Sequence, residues 1–185
     1  MFKIFISSLI AENIILTRFL GMCSFLGTTN KEKNAIGMGL SVSFVMISST
    51  FITYLINKYI LIPTNSTYLQ TITYILVIAC FVQITELVIK KYFKKLYKSL
   101  GIYLPLIATN CAVFGVVLLN SKMNYTLLES LVNTLGSALG FIIVTYIFAG
   151  NRCVLSKKEV PSAFKGVPIA LVTAGIMALI FARLA

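Results

Sequence analysis

Long apolar runs separated by short polar connections dominate this chain. A helix of about 20 apolar residues, rising ~1.5 Å per residue, crosses a hydrocarbon core of ~30 Å. The pattern therefore predicts an all-α integral membrane protein with six transmembrane helices in a single domain over residues 1–185. The predicted segments are Ile4–Gly27, Ala35–Ile56, Tyr68–Ile89, Leu100–Leu119, Leu127–Ala149 and Val167–Leu184.

The basic residues are placed as topology signals. The net charge is +11, yet only 11% of residues are charged, and the lysines and arginines concentrate in the connections. This distribution argues against nucleic-acid binding. The first, third and fifth connections carry eleven Lys and Arg and the opposite side carries four, with Arg18 left out because it lies inside the first segment. Basic loops stay in the cytoplasm, so both termini are predicted to be periplasmic.

Three segments in each half make the two halves opposite in topology. The sequence thus predicts an inverted repeat, with repeat one over about residues 1–99 and repeat two over about 100–185. Short matching motifs support it: FLGMCSFLG surrounds Cys23 and ATNCAVFG surrounds Cys111, and each cysteine is followed four residues later by glycine (Gly27, Gly115).

Equal depth for the two cysteines requires a broken first helix. If the membrane crossing begins near Glu12, the first eleven residues lie near the outer surface and Cys23 falls halfway through. The chain from Arg18 to Gly27 is then predicted to be partly unwound, and Pro105 is predicted to break the fourth helix similarly. Broken helices within a membrane are tolerated where they are buried in protein or line a cavity.

The paired cysteines are candidate iron–sulfur ligands. Thiolates hold such clusters, and a binuclear cluster needs four ligands, so a cluster here would be shared with a partner. The alternative is that cysteine merely fills space as a small apolar residue, which is our interpretation of Cys80 and Cys153. Histidine is absent, and no nucleotide-binding or catalytic-triad motif is present. Redox chemistry would therefore come from a bound cofactor, with no standalone catalysis.

Polar side chains inside the apolar runs are expensive and usually functional. Glu86 and Glu12 are the acidic candidates for an ion path, although Glu86 also fits an interfacial carboxylate that pairs with Lys90 at i+4. Thr109 and Asn110 fit better as groups that satisfy backbone freed by a break than as substrate ligands. The supporting or ion-path candidates are Asn13, Arg18, Glu86, Thr109 and Asn110.

Two further patterns concern contacts with other surfaces. Gly136 and Gly140 stand at GxxxG spacing in the fifth segment, which favours close packing of a helix within the chain or from a partner. The stretch KKYFKKLYKS alternates basic with aromatic and apolar residues. It is predicted to lie in the cytoplasmic headgroup layer, against anionic membrane lipid.

Five stretches together resemble the A-subunit family of the Rnf complex, called Rsx in some bacteria, which is an ion-translocating ferredoxin:NAD oxidoreductase. They are ENIILTRFLGMCSFLG, KEKNAIGMGLSVSF, YLQTITYILVIACFVQITELV, LGIYLPLIATNCAVFGVVLLN and EVPSAFKGVPIALVTAGIMAL. The likeness covers nearly the whole chain. A sister family, the E subunit of the sodium-translocating NADH:quinone reductase, shares the cysteine motifs. Ser24 departs from the pattern, which has proline there, and this should loosen the turn after Cys23.

The resemblance implies a bacterial inner-membrane protein with six helices in an inverted repeat. It implies pairing with a homologous E subunit of opposite topology, each of the two giving two cysteines to one [2Fe–2S] cluster. Cys23 and Cys111 would be the ligands here. Flavins and other iron–sulfur centres would lie on the B, C, D and G subunits, and electron transfer would be coupled to sodium or proton movement. Three alternatives remain open: a small inverted-repeat transporter or channel, the E subunit of a sodium-translocating NADH:quinone reductase, and a purely structural assembly subunit.

Overall fold

The computed structural model describes residues 2–11, 13–29, 32–61, 69–92, 110–156, 161, 164 and 166–184. Over these residues the chain is helical and contains no strand. Two short π-helical segments, Ser7–Ala11 and Asn57–Leu61, follow α1 and α4. The α-helices are α1 Phe2–Ile6, α2 Ile14–Arg18, α3 Met22–Thr28, α4 Glu32–Ile56, α5 Gln70–Tyr92, α6 Cys111–Lys122, α7 Leu127–Ser156 and α8 Val167–Leu184.

Two apolar stretches are long enough to cross a membrane by length and composition. They are Ala35–Leu61, which covers most of α4 and its π-helical continuation, and Leu127–Leu155 in α7. Shorter apolar stretches lie in α5, α6 and α8. Large apolar side chains stay uncovered on α5 and α8, where Leu76 is 62% and Leu179 is 74% exposed. Extensive exposed apolar surface is unusual on a soluble monomer and suits a membrane protein.

The first predicted segment is broken, as expected, but over a shorter stretch. The break covers Phe19–Gly21, where Phe19 has a φ of 54° and Gly21 a φ of 86°. The predicted unwinding up to Gly27 is wrong, because Met22–Thr28 is a helix. Its first turn is closed by the Phe25 amide, which donates to the Gly21 carbonyl at 3.0 Å. A helix satisfies backbone groups internally, which an apolar environment requires.

The N-terminal residues pack against the first half of α7, and their position near the outer membrane surface stays a prediction. A Cβ on Gly140 would come 2.9 Å from the Leu9 carbonyl oxygen, and one on Gly136 would come 2.8 Å from that of Phe5. Both glycines lie in the first half of α7, inside its apolar length. The GxxxG pair thus provides a groove for close backbone packing within the chain, one of the two options the sequence allowed.

The core forms where α4 and α7 pack along each other. Gly39 of α4 lies against the side chain of Ile142, and the Ser43 hydroxyl donates to the Ala138 carbonyl at 3.4 Å. Small residues at these positions let the two helices approach closely. The largest buried side chains around this contact are Phe25, Met38, Met46, Tyr74, Phe141 and Phe148. This helix pair forms the support on which the cysteine motifs rest.

Candidate cofactor site at the paired cysteines

The structure brings the two cysteine motifs together. Cys23 lies in the first turn of α3, and Cys111 is the first residue of α6. Their side chains are close enough to interact with each other. Beside them the Asn110 side-chain amide donates to the Ser24 hydroxyl at 3.1 Å. Two thiols that are far apart in the sequence therefore meet at one place, at the starts of two short helices.

Gly21 allows this meeting in two ways. Its positive φ is a conformation that residues with a Cβ disfavour, and the absence of a Cβ leaves room for the second motif. A Cβ there would lie 3.1 Å from the Ala112 Cβ and 3.2 Å from the Asn110 Oδ1. In the second motif Gly115 is the close contact, because a Cβ on it would collide with the Leu20 side chain. Gly27, which stands at the matching position of the first motif, is instead an exposed residue within α3.

Asn110 caps α6 and bridges the motifs at once. It is 3% exposed and has extended backbone, with φ −73° and ψ 111°. Its Oδ1 accepts from the Ala112 amide at 3.0 Å, which satisfies a free donor at the helix start. Its Nδ2 holds Ser24, whose hydroxyl donates to the Gly21 carbonyl at 2.9 Å. Serine in place of the expected proline thus gains two hydrogen bonds, so the turn after Cys23 is held rather than loosened.

Asn13 plays the same part at the start of α2. It is 2% exposed, its Oδ1 accepts from the Ile15 amide at 3.2 Å, and its Nδ2 donates to the Leu9 carbonyl at 3.4 Å. The side-chain oxygens of both amide candidates therefore accept from backbone amides at the starts of helices. Arg18 is the last residue of α2 and is exposed immediately before the break.

Helix α3 is fastened to α7 by two side chains. The Phe25 and Phe148 rings stack with centroids 4.1 Å apart and planes at 25°. The Arg152 Nη1 donates to the Leu26 carbonyl at 2.8 Å and to the Thr29 hydroxyl at 2.9 Å. The sequence showed Arg152 only as a topology charge. Its contact with α3 spans most of the chain, so no local signal could have shown it.

The site offers a limited donor set. Cys23 and Cys111 are exposed at the surface of the chain, but so are Cys80 and Cys153. Exposure alone therefore does not distinguish Cys23 and Cys111 from the other two cysteines, whereas their proximity to each other does. Among the residues that the structure describes, no group of three or more His, Cys, Asp or Glu could hold a metal ion. The chain thus supplies two soft sulfur donors and no complete set.

The remaining predicted candidates lie apart from this arrangement or cannot be placed. Glu86 is partly buried near the C-terminal end of α5 and takes no part in the hydrogen bonds described for the cysteine site. Thr109, Glu12 and Pro105 lie outside the described residues.

A second polar region was not singled out in the sequence. A cavity of about 260 Å³ lies where α4 and its π-helical continuation, α5, α6 and the start of α7 meet, and Lys58, Tyr74 and Ser130 are among its lining residues. Next to it is a buried network centred on Thr134. The Asn120 Nδ2 and the Thr50 hydroxyl lie 3.1 and 3.0 Å from its hydroxyl, which donates to the Ser130 carbonyl at 2.7 Å.

Comparison with known proteins gives a consistent result. The family model described as "Rnf-Nqr subunit, membrane protein" matches residues 1–185. The A subunit of the Na(+)-translocating ferredoxin:NAD(+) oxidoreductase complex of Acetobacterium woodii is 49% identical over 178 residues, 96% of this chain and 93% of the relative. The A subunit of the ion-translocating oxidoreductase complex of Pseudoalteromonas translucida is 48% identical over 95% of this chain and 91% of the relative. The corresponding A subunit of Vibrio vulnificus is 47% identical over 95% of this chain and 92% of the relative.

Proposed function

Because this chain belongs to the Rnf-Nqr family of membrane subunits, we propose that it is the A subunit of a multisubunit ion-translocating oxidoreductase. The names of its relatives support this assignment over the E subunit of an NADH:quinone reductase. The chain acts as part of an enzyme and has no catalysis of its own. The reaction moves electrons between ferredoxin-type and NAD-type carriers and couples them to sodium or proton translocation.

The proposed setting is the bacterial inner membrane. Six crossings in two inverted repeats, with periplasmic termini, are supported by the apolar runs and by the eleven-to-four distribution of basic residues. The proposed partners are a homologous E subunit, which shares the cysteine site, together with the B, C, D and G subunits, which carry the flavins and the other iron–sulfur centres.

We further propose that Cys23 and Cys111 supply half the ligands of a [2Fe–2S] cluster, and that the E subunit supplies the other half. The single observation that carries this proposal is the meeting of their thiols at an exposed edge of the chain. The donor chemistry fits, because two thiolates are what each side of such a shared cluster requires. The cluster, when bound, supplies one-electron transfer within the membrane.

The chain's own residues hold and surround the two sulfurs. Asn110 and Ser24 fix the distance between the two motifs through their hydrogen bond. Leu20 packs against α6 at Gly115. Cys111 is held at the first position of a helix of 12 residues.

Serine variants test the ligand assignment. Two single variants of this chain, Cys23→Ser and Cys111→Ser, are each co-expressed with the E-type partner. The purified pair of subunits is then reduced and examined by EPR. Cys80→Ser and Cys153→Ser are matched controls, because these cysteines are equally exposed but lie elsewhere. We expect the cluster signal to be lost or displaced in both site variants and kept in both controls. An undiminished, unshifted signal in Cys23→Ser and Cys111→Ser would exclude the assignment.

One observation favours a second candidate function. The cavity of about 260 Å³ beside the buried polar network is a feature that a small transporter or channel would also need. In that case the purified chain alone would carry sodium or a small solute into vesicles, and loss of both thiols would leave the flux unchanged. Flux only in the assembled complex, abolished with the cluster, would exclude this alternative.

A further inference from the structure

Arg152 is a partly buried charged residue near the C-terminal end of α7, beyond the predicted membrane segment Leu127–Ala149. Burying a charged side chain is costly unless it is hydrogen-bonded or paired. Here the partner is the end of α3, where Arg152 donates to the Leu26 carbonyl and the Thr29 hydroxyl. The last carbonyls of a helix have no partner within the helix, so a guanidinium placed there satisfies an otherwise orphaned acceptor.

The contact is part of a connected clamp. The Thr29 hydroxyl, which accepts from Arg152, itself donates to the Phe25 carbonyl at 2.8 Å. The Phe25 ring stacks on Phe148, which lies four residues before Arg152 and therefore on the same face of α7. Both the side chains and the terminal backbone of α3 are thus attached to a single stripe of α7.

This clamp has a consequence for Cys23, because α3 is not held by the helix that precedes it. Between α2 and α3 the chain passes through Phe19 and Gly21, both with positive φ, so α3 does not continue the line of α2. Cys111 is carried by α6, which meets the start of α3 through the Asn110–Ser24 hydrogen bond. The position of one sulfur relative to the other therefore depends on that hydrogen bond and on how the end of α3 is attached to α7.

We infer that Arg152 is a positioning residue for the Cys23 half of the site. The inference deepens the proposed function, but it concerns only the geometry of this chain and requires no bound cluster.

The positioning role of Arg152 is tested without iron. The full-length chain, with Cys80 and Cys153 replaced by serine, is treated with diamide, which takes up the two electrons and two protons released when Cys23 and Cys111 form a disulfide. Hydrogen bonds from a charged donor contribute ~1.5–3 kcal/mol, and ~1.4 kcal/mol corresponds to a tenfold change. We therefore expect Arg152→Gln to slow the reaction roughly tenfold, Arg152→Lys to slow it less, and the exposed control Arg183→Gln to leave it unchanged.

Equal disulfide rates in the parent and in Arg152→Gln would overturn the positioning role. If the parent pair of this chain and its E-type partner contains no iron, the proposed function fails, while the disulfide experiment still decides the positioning role.

Discussion

Gly140→Ala is the sharpest test of the packing between the N-terminal residues and α7. The added methyl group would come 2.8 Å from the Asn13 Nδ2 and 2.9 Å from the Leu9 carbonyl oxygen. The first neighbour is a buried side chain that caps α2, and the second is backbone. Neither can move aside without disturbing the start of α2. Gly150→Ala is the matched control, since it lies in the same helix and a Cβ there meets nothing within 4 Å.

The expected magnitude follows from two opposing effects. Alanine in place of glycine inside a helix ordinarily stabilises by about 0.5–1 kcal/mol, which both variants share. Overpacking a filled contact costs about 1–3 kcal/mol, which only Gly140→Ala experiences. The free energy of unfolding should therefore be slightly higher in Gly150→Ala than in the parent chain. In Gly140→Ala it should be about 1–3 kcal/mol lower than in Gly150→Ala.

Unfolding of the purified chain in mixed detergent micelles, titrated with SDS and followed by circular dichroism, measures this difference. Because both variants make the same chemical change in one helix, effects of detergent and of helix propensity cancel between them. Equal stability of Gly140→Ala and Gly150→Ala would show that the N-terminal residues do not occupy the groove on α7, and the reasoning would be refuted.

Two further variants probe the polar contacts. Asn110→Ser keeps a helix-capping hydroxyl but loses the hydrogen bond to Ser24, so we expect a modest loss of stability, about 1 kcal/mol, with a larger effect on iron retention by the assembled pair. Retention equal to the parent would contradict the bridging role. Thr134→Val removes the centre of the buried network and should cost about 1–3 kcal/mol in the same SDS titration, whereas Thr173→Val, whose hydroxyl bonds only to its own helix, should cost clearly less.

The sequence predicted those parts of the fold that depend on local pattern. Apolar runs marked α4, α7 and α8, and the predicted bounds Val167–Leu184 match α8. The paired motifs predicted that Cys23 and Cys111 belong to one site; the structure places their side chains close together, and their role as ligands stays a prediction. The family inferred from those motifs is confirmed by the match over the whole chain. Each of these inferences used information contained within a few turns of helix.

The parts that could not be predicted depend on contacts between distant residues. The extent of the break was overestimated because Gly27 permits unwinding but nothing in the motif requires it, and α3 forms instead. The docking of Leu9 at Gly140 and the contact of Arg152 with Leu26 join opposite ends of the chain, and neither leaves a local signature.

Iron and acid-labile sulfide in the purified pair of this chain and its E-type partner test the central claim most directly. We predict about two atoms of each per pair, and loss of both in the double variant Cys23→Ser, Cys111→Ser, with the pair still assembled. A pair that supports electron transfer in the complete complex without any bound iron, or a double variant with its full iron content, would contradict the shared-cluster assignment.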